Sequence, residues 1–337
     1  MSTNMRKQPP TLLGRWRQAL AAHWRSRPRW AGGLGGNPAR PPALPAPGAP
    51  AGAAAHGNWS LAWASRAGPH HLNQDCAGAH WLRTAAGSGL ALAVADGVTH
   101  GAAGDVAAAA LVAHWLAGPA PGQDRRAFLL AAEPAVALAL RQHTPEPGAA
   151  TGAACWLDAY GRGWATRVGD CQVLRAGPGP AAASAAASAS TVSTAPASAP
   201  HWQVQALLPD QTYAQVYPQG PGGAEAEQPA RMVGCANLGE PEWLGVDLAP
   251  GDVLLLASDG LHAVLSPADW SNLLHHHLGD AGPPRVARVA GNAVAALQSL
   301  VGDLLQTALR RGSEDDITVL AARRGPADDP SAKGQTP

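Results

Sequence analysis

Two tracts that almost lack large apolar side chains decide which parts of this 337-residue chain can fold. Residues 37–55 are mostly Pro, Ala and Gly, and residues 177–200 are nearly all Ala, Ser, Pro and Gly. Neither buries enough apolar surface to offset the entropy of ordering its backbone. The expectation is a disordered basic arm over 1–56 and a folded domain over 57–325, followed by a disordered tail over 326–337. The folded domain carries a disordered insertion at 177–200. The 39 glycines and 31 prolines follow no G-X-Y period, which excludes collagen.

Charge is balanced in total, 24 Lys and Arg against 24 Asp and Glu, which argues against specific nucleic-acid binding. It is not balanced along the chain. Arg6, Lys7, Arg15, Arg17, Arg25 and Arg27 are among the cations that precede Asp75, the first acidic residue. Within this basic arm Leu12, Leu13, Trp16, Leu20 and Trp24 recur at helical spacing. The segment reads either as an amphipathic helix docking on a membrane surface or a partner, or as a tail unfolded in isolation. No run of ~18–20 apolar residues offers a membrane span, and no apolar segment with a cleavage site offers an export signal. The 4 cysteines contain no C-x-x-C pair, which excludes a zinc ribbon and a disulfide scaffold and fits the cytoplasm.

Outside the tracts, short apolar runs read as strands: 59–63, half-buried by its alternation, then 90–95, 151–157, 164–168, 173–175, 202–207, 253–257 and 317–322. Residues 102–116, 125–142, 267–278 and 285–310 have helical length and spacing. The strands come in hairpin-like runs without βαβ alternation, so the expected class is α+β, antiparallel sheets covered by helices. The abundant Trp in a chain with a single Phe reads as core filler.

Chemistry concentrates at strand ends. Asp96, Asp170 and Asp259 follow apolar strands, while Asp75 and Asp315 precede them. Any one of these is ordinarily a turn residue or a cap. Five together point to a carboxylate-lined site, and converging carboxylates need cations between them. Oxygen donors of this kind suit Mg²⁺ or Mn²⁺; zinc would call for His or Cys.

Six blocks in order resemble the metal-dependent protein phosphatases of the 2C (PPM) type. They are H-x-x-N-Q-D at 70–75, D-G-V-T-H-G-A-A-G-D-V-A at 96–107 and V-G-D-C at 168–171. Then come L-P-D-Q-T at 208–212, P-G-D-V-L-L-L-A-S-D-G-L at 250–261 and G-S-E-D-D-I-T-V at 312–319. The resemblance implies a β-sandwich of two antiparallel sheets flanked by helices, with two Mn²⁺ or Mg²⁺ ions at one end. It implies a bacterial-type serine/threonine phosphatase that hydrolyses phosphoserine and phosphothreonine by attack of a metal-bridging water. Carried over by position, Asp96 bridges both ions, the Gly97 carbonyl binds one, and Asp259 and Asp315 complete the first ion's shell. Asp75 holds waters of the second, and Asp170 matches a weaker third site. Asp96 and Asp259 are thus the principal catalytic candidates. The implied partners are a phosphorylated protein and a Ser/Thr kinase that the enzyme opposes.

Three positions depart from the pattern. His70 stands where the family has its phosphate-binding Arg, and imidazole lacks the permanent bidentate fork of guanidinium. His100 is displaced by one place from the family's His and remains a candidate phosphate contact or proton donor. Asp316 replaces an Asn, adding a carboxylate expected to alter metal affinity. Cys76 and Cys171 read as small buried residues, and His275, His276 and His277 as a solvated helix end. The competing reading is a weak or inactive pseudo-phosphatase that binds phosphoproteins, favoured by His70. His70→Arg should lower the KM for an aryl phosphate, as read from steady-state kinetics; an unchanged KM would show that another residue supplies the phosphate contact.

Overall fold

A computed structural model describes residues 49–69, 72–84, 87–98, 103–120, 122–178, 201–220, 222–280 and 290–325. The arm up to residue 48, His70, His100, residues 179–200, residues 285–289 and the tail from 326 lie outside the described residues.

Among the described residues eleven strands make two antiparallel sheets. The first has β1 (Ala51–His56), β2 (Trp59–Arg66), β11 (Ile317–Arg324), β10 (Val253–Ala257), β7 (Gln172–Pro178) and β8 (Trp202–Ala206), in that spatial order. The second is ordered β3 (Cys76–Thr84), β4 (Gly87–Gly97), β5 (Ala150–Leu157), β6 (Arg162–Val168) and β9 (Glu242–Asp247). Helices α1 (Gly104–Ala117), α2 (Arg125–Leu130) and α3 (Ala132–His143) lie on the second sheet's side. After the one-turn helices α4 (Tyr213–Val216) and α5 (Asp259–His262), α6 (Pro267–Leu278) and α7 (Ala290–Arg310) cover the first sheet. Among the described residues no helix is long and apolar enough to cross a membrane.

Four layers explain why the central strands read as unbroken apolar runs. In β10, Leu254 and Leu256 enter the core between the sheets, while Val253, Leu255 and Ala257 pack beneath α6 and α7. The same holds for β2, and here the structure corrects the half-buried reading. Trp59, Leu61 and Trp63 face the other sheet, but Ala62 and Ala64 are buried too, under the helices. A strand covered on both faces loses its polar alternation.

Small residues set the layer spacing. Ala91, Ala93 and Ala95 of β4 meet the Ala107–Ala110 stretch of α1, so helix and sheet approach closely. At Gly152 of β5 a Cβ would lie 2.8 Å from the Trp115 ring. The indoles fill what remains, as expected of them. Trp156 and Trp164 pair across β5 and β6 with ring centroids 4.0 Å apart, and the Trp156 Nε1–H donates to the Trp115 carbonyl at the end of α1.

Three boundaries differ from those read in the sequence. The sheet begins at Ala51, inside the stretch assigned to the arm, because an Ala/Gly strand needs only backbone pairing to add to an edge. A Cβ on Gly52 would stand 2.3 Å from the Trp63 ring, so this residue admits the strand to that edge. The hairpin of β7 and β8 extends to Pro178 paired with Trp202, which removes residues 177 and 178 from the insertion. Residues 125–142 form two helices that meet at Ala131, and Pro134 sits in the first turn of α3, where its missing N–H costs nothing.

Leu254→Ala opens the inter-sheet core and should destabilise the protein by about 2–5 kcal/mol in urea unfolding. Leu138→Ala, at a side chain 48% exposed, should change stability by no more than about 0.5 kcal/mol.

Candidate metal centre

Topology gathers the aspartates. Strands β4, β6 and β10 finish at the end of the sandwich where β3 and β11 begin. This brings Asp75, Asp96, Asp170, Asp259 and Asp315 to one mouth. The charges of Asp75, Asp259, Asp170 and Asp315 all reach Asp96, and together with burial they hold its carboxyl well above the usual range. Burial, the Asp316 charge and the Asp259 charge raise Asp75 to about 8, against the opposing pull of hydrogen bonds from Thr318 and Ser258. Asp259 rises to about 7 through burial and its neighbours Asp170 and Asp315. Asp170 is likewise raised, mainly by burial, although the Arg167 charge opposes this.

Two of the ligand candidates, Asp75 and Asp170, are locally braced. The Ser258 hydroxyl donates to Asp75 Oδ2 at 2.8 Å and accepts the Thr318 N–H at 2.9 Å. The Asp75 N–H is held in turn by Asn73 Oδ1 at 3.0 Å. The Gly169–Asp170 turn is fixed from three sides. Arg167, fully buried, donates to the Gly169 and Leu208 carbonyls and to Asp210. Gln211 accepts the Gly169 N–H through Oε1 at 3.0 Å. Burial lowers the His262 pKa, keeping the ring neutral, and its Nε2–H donates to the Asp170 carbonyl at 2.9 Å. Cys171 and Cys76 are buried beside these aspartates, and burial with the nearby carboxylates holds the Cys171 thiol well above its ordinary value.

Glycines let the elements close on one another. A Cβ on Gly97 would fall 2.4 Å from the Gly104 carbonyl carbon, so β4 and the start of α1 touch backbone to backbone. A Cβ on Gly260 would fall 2.1 Å from the Asp316 carbonyl oxygen. The D-G pairs of the sequence are therefore packing requirements as well as turn signals.

Donor chemistry fits a hard divalent cation. Asp75 Oδ1, Asp170 Oδ1 and Asp259 Oδ1 are buried without a hydrogen-bond partner, an arrangement costly for carboxylates unless a cation lies between them. Among the described residues no three His, Cys, Asp or Glu side chains are drawn tightly enough together to clasp one ion directly. They stand as electrostatic neighbours. Other sequence candidates lie elsewhere. His277 pairs with Asp303 at 2.9 Å and His275 stands 3.6 Å from Asp280, in the last turn of α6. Ser258, Arg167, Gln211 and His262 were not legible as site residues. Ser258 and Gln211 had a signal, since both lie inside quoted blocks, at 250–261 and 208–212.

No family model matches the sequence, and no curated protein is similar enough in sequence to match it. Solved structures do match in fold. MsPP, a PPM Ser-Thr phosphatase from Mycobacterium smegmatis solved with cacodylate, superposes with a TM-score of 0.52 at 23% identity, over 80% of this chain and 100% of that one. Stp1 of Staphylococcus aureus, a serine/threonine phosphatase, gives 0.55 at 16% identity, over 79% and 95%. The catalytic domain of the serine/threonine phosphatase PstP, solved with 2 manganese ions, gives 0.50 at 23% identity, over 80% and 99%. The chain has the fold of the bacterial PPM-type serine/threonine phosphatases, as its motifs led one to expect.

The raised aspartates make stability depend on pH. Asp75 and Asp259 titrate near 8 and 7 when folded, against an ordinary value of 3.8. The folded state therefore holds more protons than the unfolded one between those limits, and stability falls as pH rises through that window. Without divalent ions the melting temperature should drop between pH 5 and pH 8. Added Mn²⁺ should restore it at pH 8 and do little at pH 5, as read by thermal unfolding at both pH values.

Proposed function

We propose that this chain is a Mn²⁺- or Mg²⁺-dependent phosphatase acting on phosphoserine and phosphothreonine in protein substrates. The observation that carries the reading is the set of buried carboxylates with unpartnered oxygens at the sandwich mouth, on a fold shared with serine/threonine phosphatases. The residues proposed to hold two ions are Asp96, the Gly97 carbonyl, Asp259, Asp315 and Asp75, with Asp170 at a weaker third site. Bound ions would supply Lewis-acid activation of water and would neutralise the phosphoryl oxygens.

The chain's own residues divide the remaining work. Asp96 lies where the charges of all the other candidates converge, which suits it to a bridging position. Ser258 fixes which oxygen of Asp75 remains available, by donating to Oδ2 and leaving Oδ1 unpartnered. His262 and Arg167 orient the Asp170 turn through its backbone, so its carboxylate is presented without side-chain competition from either. The raised thiol of Cys171 keeps it protonated and unsuited to act as a nucleophile. His70 and His100 are proposed as phosphate contacts on their motif positions alone. The cysteines, free of disulfides, fit a reducing compartment, and the cytoplasm is the proposed place of action, with a phosphoprotein as substrate and a Ser/Thr kinase as its counterpart. Docking of the basic arm on a membrane or a partner belongs to the same proposal.

The test is hydrolysis of p-nitrophenyl phosphate and of a phosphothreonine peptide with and without Mn²⁺. Turnover should require the metal and should fall at least about a hundredfold in Asp96→Asn and Asp259→Asn. Full activity in either variant would sink the site assignment. A folded, Mn²⁺-binding protein with no turnover would favour the phosphoprotein-binding reading.

A further inference from the structure

One side chain binds both ends of the loop that leads into Asp75. Asp316, 2% exposed, accepts the Gly68 N–H through Oδ1 at 2.8 Å and the Gln74 N–H through Oδ2 at 2.6 Å. Both carboxylate oxygens therefore take backbone donors from the two ends of one loop. Its own N–H donates to Asp315 Oδ1 at 2.8 Å, which ties the same residue to a proposed metal ligand. The loop lies close against β11 at this point: a Cβ on Gly68 would stand 2.6 Å from the Glu314 carbonyl oxygen. A second seam runs beside the first, where Asn73 Nδ2 donates to the Ser65 hydroxyl at 2.8 Å and Ser65 meets the Thr318 hydroxyl at 2.7 Å.

Two N–H donors facing one side chain need two acceptors. A carboxylate offers them, whereas Asn offers one carbonyl oxygen and turns an NH₂ group on the other donor. This accounts for Asp at a position where the resembling family has Asn. The expectation that the added carboxylate alters metal affinity stands beside this: its oxygens are turned to the loop, while its charge still reaches Asp75. We propose that Asp316 is a positioning residue, a latch that holds both ends of the 68–74 loop on β11. It thereby sets where Asp75, the residue after Gln74, stands. For what Asp75 does, the inference rests on the phosphatase reading; the latch itself does not.

Asp316→Asn and Asp316→Ala test it in the full chain, with thermal unfolding to confirm that each variant is folded. Hydrogen exchange of the peptide spanning residues 66–76 should quicken about tenfold or more in both, with α6 as an unchanged control. The KM for p-nitrophenyl phosphate should rise about tenfold, the scale of one lost hydrogen bond to a charged group, with kcat changed less than about threefold. Asp316→Glu, which keeps the charge but overreaches by a methylene, should not restore KM. Unchanged exchange in both variants would overturn the latch, and faster exchange with KM and kcat intact would overturn the positioning role. Should the wild type lack turnover, the phosphatase reading fails separately. Exchange and Mn²⁺ affinity, measured by the metal-induced shift in melting temperature, would then decide for Asp316: several-fold weaker binding in the variants supports it, and equal affinity overturns it.

Discussion

Like charges buried at the mouth of a dry sandwich repel one another, and much of the local structure at that mouth deals with this repulsion. Asp96 feels four other carboxylates, and Asp75 and Asp259 are pushed to about 8 and 7. A fold keeps such a cluster only if protons or cations neutralise it, since carboxylates deprived of both water and counter-charge are among the costliest groups to bury. The surrounding hydrogen bonds choose which oxygens stay unsatisfied. Ser258 takes Asp75 Oδ2 and leaves Oδ1; backbone contacts from His262 and Arg167 hold the Asp170 turn and leave its Oδ1. What results is a set of carboxylates near enough to feel one another's charge, with one oxygen each of Asp75, Asp170 and Asp259 left unpartnered.

The apolar layers supply the rigidity this requires. Every strand that ends or begins at the mouth is anchored in a core: β4 and β6 under α1 and its neighbours, β10 and β11 under α6 and α7. Leu does most of the filling, while Ala and Gly allow backbones to approach and a few indole rings close the gaps. The pairs Gly97–Gly104 and Gly260–Asp316 carry that close approach up to the site itself. Close packing at these crossings matters because ligand oxygens are useful only when held within about 0.5 Å of their places.

Much of this was legible in the sequence because strand-end aspartates carry two signals at once. Asp96 and Asp259 each close an apolar run and precede Gly, so residue type, neighbour and position agreed. The fold class followed from hairpin-like spacing without βαβ alternation, and the structural neighbours share it. Elements without side-chain contrast were missed. β1 is almost pure Ala and Gly and is defined by backbone pairing with β2, while β9 exposes Trp243 and Leu244 on an edge and buries Val246 alone. Ala62 and Ala64 misled in the same way, because alanine is equally at home in water and beneath a helix. The bracing residues were invisible for another reason. Asp316, Arg167 and His262 act on backbone groups distant in sequence, and no local spacing reports that.

The central claim is that the carboxylate cluster exists to hold two divalent ions. Crystals grown with Mn²⁺ and measured at a wavelength that excites manganese would test it most directly. The account predicts two strong anomalous peaks at the sandwich mouth, bordered by Asp96, Asp75, Asp259 and Asp315. An ordered mouth without an anomalous peak at saturating Mn²⁺ would contradict it.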